Sequence, residues 1–181
     1  MPPTLPESPR LRLRELCEDD AAFALAQLND PDFLAHIGDR GVRDLAQARD
    51  YLATGPMASY VRNGFGLWGV ELKASGQLAG MCGLIQRDTL PAPDLGYAFL
   101  PAFRGQGLAY EAARLCLAFG FEALAMPRIL AIVTETNAAS RRLLESLGMR
   151  LHEPRTLGGE TLLVYAIDKP GAVRPASGSG S

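Results

Sequence analysis

Residues 95–109 constrain this chain more than any other stretch. Leu95-Gly96-Tyr97-Ala98-Phe99-Leu100 reads as a strand, Pro101 stops it, and a loop with two glycines opens at once into a helix. The strand spans about Asp94 to Leu100 and the helix about Gly105 to Ala125. Leu108, Ala112, Leu115, Phe119 and Ala123 form one apolar stripe that packs the helix on a sheet. The first turn of such a helix carries N–H groups with no internal acceptor, at the positive end of the helix dipole. Gly105 and Gly107 have no Cβ, so anionic oxygens can approach the main chain closely, and Arg104 adds a fixed positive charge at the mouth. The loop is therefore either a plain turn or a seat for a diphosphate. Two other phosphate-binding designs fail on the residues. A Walker A loop needs lysine and Ser/Thr after the second glycine, where Leu108-Ala109 stand, and a dinucleotide fingerprint needs a small residue where Tyr110 stands.

The remaining segments supply a fold around this unit. Leu11 and Leu13 alternate with Arg10, Arg12 and Arg14 in a first strand. Glu18-Asp19-Asp20 opens a helix to about Asn29, which Asp30-Pro31 ends, and a second helical region runs from about Asp44 to Arg62, interrupted at Gly55-Pro56. Gly66–Lys73 and Gln77–Gln86 pair as a hairpin around Ser75-Gly76. Ile129–Val133 is a buried strand, Asn137 starts a helix ending at Gly148, Met149–Glu153 is a weaker strand, and Leu162–Ile167 is the last. This order means an α+β domain on one mostly antiparallel, twisted sheet. Residues 1–9 are proline-rich and extended, residues 10–170 form the single domain, and residues 171–181 form a Ser/Gly-rich flexible tail.

Composition narrows the function classes. A net charge of −2 without a basic block leaves no electrostatic footprint for nucleic acid. Two histidines cannot build a histidine-rich metal site, and no apolar run reaches membrane length. Cys17, Cys82 and Cys116 lack metal or redox spacing and read as buried thiols. The chain is expected to be a cytoplasmic protein, monomeric or homodimeric, with no nucleic-acid, membrane or metal partner.

Arg104-Gly105-Gln106-Gly107-Leu108-Ala109 resembles the Arg/Gln-x-x-Gly-x-Gly/Ala signature of the GNAT family of acetyltransferases. The branch of ribosomal-protein N-terminal acetyltransferases is similar also at Arg10–Arg14, Asp30-Pro31, Asp94-Leu95-Gly96-Tyr97, Asn137-Ala138-Ala139-Ser140 and Leu147-Gly148-Met149, in matching order over about residues 10 to 168. The resemblance implies a sheet of about six to seven strands, splayed in the middle and flanked by about four helices. Acetyl-CoA would be the cosubstrate, its diphosphate on Arg104 to Ala109 and its pantetheine beside main-chain groups of Phe99 and the carbonyl of Pro101. An amine, either a protein N-terminus or a small molecule, would be the acceptor. A non-catalytic acyl-CoA-binding or sensing module of the same fold is the alternative.

Acetyl transfer needs a neutral amine, and an ammonium of pKa ~8–10 must first lose a proton. Asp94 is the candidate base: it shares a strand face with the small Gly96 and Ala98, which suits a cleft, and it stands ten positions ahead of Arg104, where the family's carboxylate base falls. An exposed strand-start aspartate is the plain alternative. Asn137 caps its helix by type, and the resemblance adds a bond to the pantetheine arm. It also places Ser140 near the sulfur. Many family members carry a tyrosine acid before the glutamate of this helix, whereas this chain has Leu144 before Glu145, which moves the expectation to Ser140 or solvent. Phe33, His36 and Tyr97 are the candidates for lining the acceptor pocket. Trp68 reads as core, and Glu111 as a complement to the helix dipole.

Overall fold

The computed structural model describes residues 2–157 and 159–171. The expected tail lies, beyond residue 171, outside the described residues. Seven strands form one sheet: β1 (Leu11–Arg14), β2 (Leu67–Leu72), β3 (Leu78–Ile85), β4 (Asp94–Phe99), β5 (Arg128–Thr134), β6 (Arg150–Leu157) and β7 (Glu160–Asp168). They lie in the order β1-β2-β3-β4-β5-β7-β6, and every neighbouring pair is antiparallel except β4 and β5. Those two strands meet at a single parallel register pair, Asp94 with Leu130, and then part. The expected α+β architecture and the splay beside β4 are both present.

The helices are α1 (Ala21–Leu28), α2 (Pro31–His36), α3 (Leu45–Leu52), α4 (Ala58–Asn63), α5 (Leu108–Glu122) and α6 (Ala138–Ser146). Helix α3 passes into α4 through a π turn at Ala53–Met57 that contains Pro56, so the predicted interruption widens the helix without ending it. Asp30-Pro31 ends α1 as expected and also starts α2, which the sequence reading missed. The Asp30 carboxylate accepts from the Phe33 N–H, and Pro31 occupies the first helical position, where a missing N–H does no harm. The N-terminal segment also departs from a simple extension. Glu7 bridges to Arg12, and Pro6 accepts from the Leu13 N–H, so the chain folds back along β1.

Strand β3 is buried on both faces because helices cover both sides of the sheet. On one face, α1 and α3 pack Ala24, Leu28 and Leu52 against Met81, with Ala98 alongside. On the other, α5 and Leu144 of α6 close over Trp68, Cys82 and Ile129, and the Trp68 ring meets Phe119 edge to face at 5.4 Å. Trp68 is core, as expected. Cys82 and Cys116 are buried, but Cys17 is exposed because it sits in the turn entering the 3-10 helix Glu18–Asp20. Gly83 is required by close approach: a Cβ there would lie 2.0 Å from the Gly66 carbonyl oxygen. Edge strand β6 tolerates Pro154 because its outer side needs no ladder donor. No helix among the described residues is long and apolar enough to cross a membrane.

Candidate active site

The glycine loop sits where β4 hands over to α5. Gly105 and Gly107 adopt φ of +74° and +76°, a left-handed conformation that glycine takes without strain, and Gly107 is the N-cap of α5. Among the described residues nothing lies within 4 Å of a Cβ built on Gly105, and residues 104–107 are exposed. The Glu111 N–H bonds to the Gly107 carbonyl at 3.1 Å, so the amides of Leu108, Ala109 and Tyr110 have no earlier carbonyl of the helix to bond. Leu108, the first residue of α5, is buried.

The charge at this loop differs from the sequence reading. Arg104 turns its guanidinium toward α2, where it bonds Asp32 at 2.9 Å and Asp30, while its Nε donates to the Phe99 carbonyl at 3.1 Å. Arg104 is therefore not a free cation at the mouth. Arg10 takes the place beside the loop: its Nη1 donates to the Gln106 carbonyl at 2.9 Å, and its Nε donates to Glu111 at 2.7 Å. Partial burial pushes the Glu111 carboxyl up, but hydrogen bonds from Ser8 and Arg10 outweigh it and leave the group below the ordinary carboxylate range. The Pro101 carbonyl accepts the Arg104 N–H at 3.2 Å. Pro101 itself is exposed and lies outside the cavity lining.

Beyond Asp94 the strands diverge, and a cavity of about 1030 Å³ fills the gap. Asp94, Tyr97 and Phe99 line it from β4, Ala131–Thr134 from β5, and Asn137 and Ser140 from α6. Arg104 and Ala109 close the end next to the glycine loop, while Phe33 and His36 approach from α2. Residues scattered from 33 to 140 thus share one space. Gly105, Gln106, Gly107 and Leu108 stand just past its lining.

Asp94 is almost wholly buried, at 1% exposure, and its carboxylate accepts from Arg87 Nε at 2.9 Å. Burial raises its pKa, and the charge and hydrogen bond of Arg87 offset only part of that. The plain alternative of an exposed strand-start aspartate is thus ruled out: Asp94 is buried and paired at the vertex of the gap, in the cavity lining. Asn137 makes the cap expected of its type, accepting the Ser140 N–H at 3.2 Å. That bond uses only the carbonyl of the side-chain amide. The Ser140 hydroxyl lies 2.5 Å from the Tyr97 hydroxyl. Burial pushes Tyr97 up to about 12, with the Ser140 bond opposing in part. His36 Nδ1 stands 3.5 Å from the Thr134 hydroxyl, at the limit of a hydrogen bond.

Arg10, Arg87 and Gln27 escaped the sequence reading. The arginines look like solvated surface charges until folding brings Gln106, Glu111 and Asp94 to them. Gln27 falls in an ordinary amphipathic helix, yet it is fully buried at the cavity wall, with both polar atoms lacking a hydrogen-bond partner among the described residues. An orphaned buried amide costs about 1–3 kcal/mol. Gln27→Met, close in volume, is expected to stabilise the fold by about 1 kcal/mol and raise the thermal midpoint by about 2–4 °C. A midpoint that falls on thermal denaturation would show that Gln27 has a structural partner.

Known proteins carry the same design. Residues 10–150 match the model of the acetyltransferase (GNAT) domain. The protein YkkB of Bacillus subtilis (strain 168) is 31% identical over 159 residues, which cover 86% of this chain and 91% of YkkB. The N-acetyltransferase YoaA of the same organism is 29% identical over 147 residues, covering 80% of this chain and 81% of YoaA. Among solved structures, an acetyltransferase from Agrobacterium tumefaciens str. C58 superposes with a TM-score of 0.77 at 25% identity, over 91% of this chain and 94% of that one. A family match running from β1 to the start of β6 takes in both arms of the gap and the loop between them, and on that ground the chain belongs to the GNAT family and is an acetyltransferase.

Proposed function

We propose that this protein moves the acetyl group of acetyl-CoA directly onto a primary amine, with both substrates bound at once. The reading rests on one observation: β4 and β5 separate beyond Asp94, so a single gap leads from the glycine loop to a buried carboxylate. The residues present suit the cosubstrate. The exposed glycine loop, residues 105–107, at the start of α5 favours a diphosphate, and the edge of β4 beyond Asp94 offers main-chain groups to an extended pantetheine arm in the manner of an added strand. Phe99, Pro101 and Asn137 supply the groups along that path. Asp94 and Ala98 face the α1–α3 side, so the acceptor enters there, past Phe33 and His36, and Asp94 takes the amine proton directly or through one water. Holding the two reactants together provides much of the acceleration. The acceptor class is a protein N-terminus or a small-molecule amine.

The test is to incubate the protein with acetyl-CoA and a panel of peptides and small amines and to follow free thiol. Release above the hydrolysis background with at least one acceptor supports transfer. Tight acetyl-CoA binding with no release for any amine would instead support an acyl-CoA-sensing module.

The loop's brace gives a separate prediction. Arg10→Ala removes the donor to Gln106 and leaves Glu111, one helical turn from the diphosphate seat, with the Ser8 hydroxyl but no cationic partner. Acetyl-CoA affinity is expected to weaken about 3- to 10-fold, in proportion to one charge-assisted hydrogen bond. Calorimetry checks it, and an unchanged Kd would mean that Arg10 serves only the N-terminal segment.

A further inference from the structure

We propose that Tyr97 is a catalytic residue, its hydroxyl oriented by Ser140 to donate a hydrogen bond to the coenzyme sulfur as that atom leaves; the assignment rests on the transferase reading above. The pair spans the gap. Tyr97 stands on β4, three residues past Asp94, and Ser140 stands in the first turn of α6 on the other arm. Their hydroxyl oxygens are 2.5 Å apart, and both residues line the cavity. With Ser140 donating in that contact, the tyrosine hydrogen is left for the gap. Its alternative acceptor, the Ser140 carbonyl, is at 3.4 Å, near the limit for a hydrogen bond. A hydroxyl that accepts one hydrogen bond is also a better donor of the next.

The strand places this donor apart from the base. Asp94 shares the face of Ala98, which packs toward α1 and α3, whereas Tyr97 shares the face of Leu95 and Phe99, which packs toward α5. An amine arriving from the first side meets Asp94, and a sulfur lying on the second side meets Tyr97. Leu144, at the helix position where a tyrosine acid is expected, is buried in the core and offers no hydroxyl.

The step balances as follows. The amine nitrogen forms a bond to the carbonyl carbon, and its proton passes to Asp94 through water. The C–S bond breaks with its electron pair going to sulfur. Tyr97 stays protonated throughout, because a hydroxyl raised to about 12 does not hand its proton to a thiolate whose ordinary pKa is about 8.5. It steadies the anion until solvent protonates it, and Asp94 returns its proton to solvent.

Tyr97→Phe removes the hydroxyl and keeps the ring. In the thiol-release assay, kcat is expected to fall about 10- to 100-fold, with KM for acetyl-CoA changed by less than about 3-fold. Ser140→Ala should fall about 3- to 10-fold, and the double variant should be no slower than Tyr97→Phe alone, since the two act as a unit. A merely structural role would not respond to the leaving group. With 4-nitrothiophenyl acetate as donor, whose acidic thiol needs no help to depart, the ratio of wild type to Tyr97→Phe should shrink toward one. The proposal is overturned if Tyr97→Phe keeps full kcat, or if the deficit is equal with both donors. A wild-type protein that binds acetyl-CoA yet acetylates no amine overturns the transferase reading and this one together, whereas a Tyr97→Phe variant with the wild-type kcat overturns this one alone.

Discussion

Asp94→Asn is expected to lower kcat by about 10²–10⁴ while leaving acetyl-CoA affinity nearly intact. Asparagine keeps the shape and can still accept from Arg87, but it has no charge to take a proton from the amine. The environment of Asp94 suits a base. Burial lifts its carboxyl above the usual range, which strengthens it as a proton acceptor, and the charge and hydrogen bond of Arg87 oppose that rise. The pH dependence follows. Activity requires the ionised form, so the acid limb of the kcat profile lies above the ordinary carboxylate pKa of 3.8. Arg87→Gln removes the arginine's charge and its charge-assisted hydrogen bond, the two largest influences that lower the pKa, so that limb moves to higher pH. Comparing the two profiles with one acceptor cancels the titration of the amine itself.

Stability gives an independent check on the sign. A carboxyl whose pKa is raised by folding binds its proton more tightly in the folded chain. Its favourable contribution is therefore complete below the unfolded pKa and is lost as pH rises through the folded one. Asp94→Asn escapes that loss and should be no less stable than wild type at neutral pH. If calorimetry shows the variant losing acetyl-CoA, or if turnover persists at the wild-type rate, Asp94 is not the base.

The second large effect concerns Arg104. The sequence makes it a phosphate ligand, but in the folded chain it is the partner of Asp30, whose side chain is only 4% exposed. Arg104→Ala strands a buried carboxylate and frees the Phe99 carbonyl. A broken buried pair costs about 3–5 kcal/mol, and the partial exposure of Arg104 reduces that here to about 2–3 kcal/mol. Chemical denaturation should show the loss, and Asp30→Asn in the same chain should recover much of it, since the two residues act as one unit. An Arg104→Ala variant with wild-type stability and weakened acetyl-CoA binding would return Arg104 to the role first read from its position.

Asp30-Pro31 shows why part of the fold was illegible. The same dipeptide ends one helix and begins another, and only the carboxylate accepting from the Phe33 N–H identifies the start. Gly105 and Gly107 were legible because their requirement is local: a left-handed backbone and an approach without Cβ are properties of one residue and its neighbours. Asn137 was legible for the same reason, as a cap acts within one turn.

What the chain's order of residues determined by itself is most of the elements though not α2, the helix start bared by glycines, and the carboxylate and serine ten positions before and thirty-six after Arg104. Those follow from short-range sterics and periodicity. The tertiary structure alone decided which charges are free. It turned Arg104 inward to Asp30, set Arg10 against Gln106 across a separation of 96 residues, and joined Tyr97 to Ser140 across 43. Side-chain partners at such distances depend on where the sheet opens, and that opening is set by the divergence of β4 and β5 after one shared pair, which no local pattern encodes.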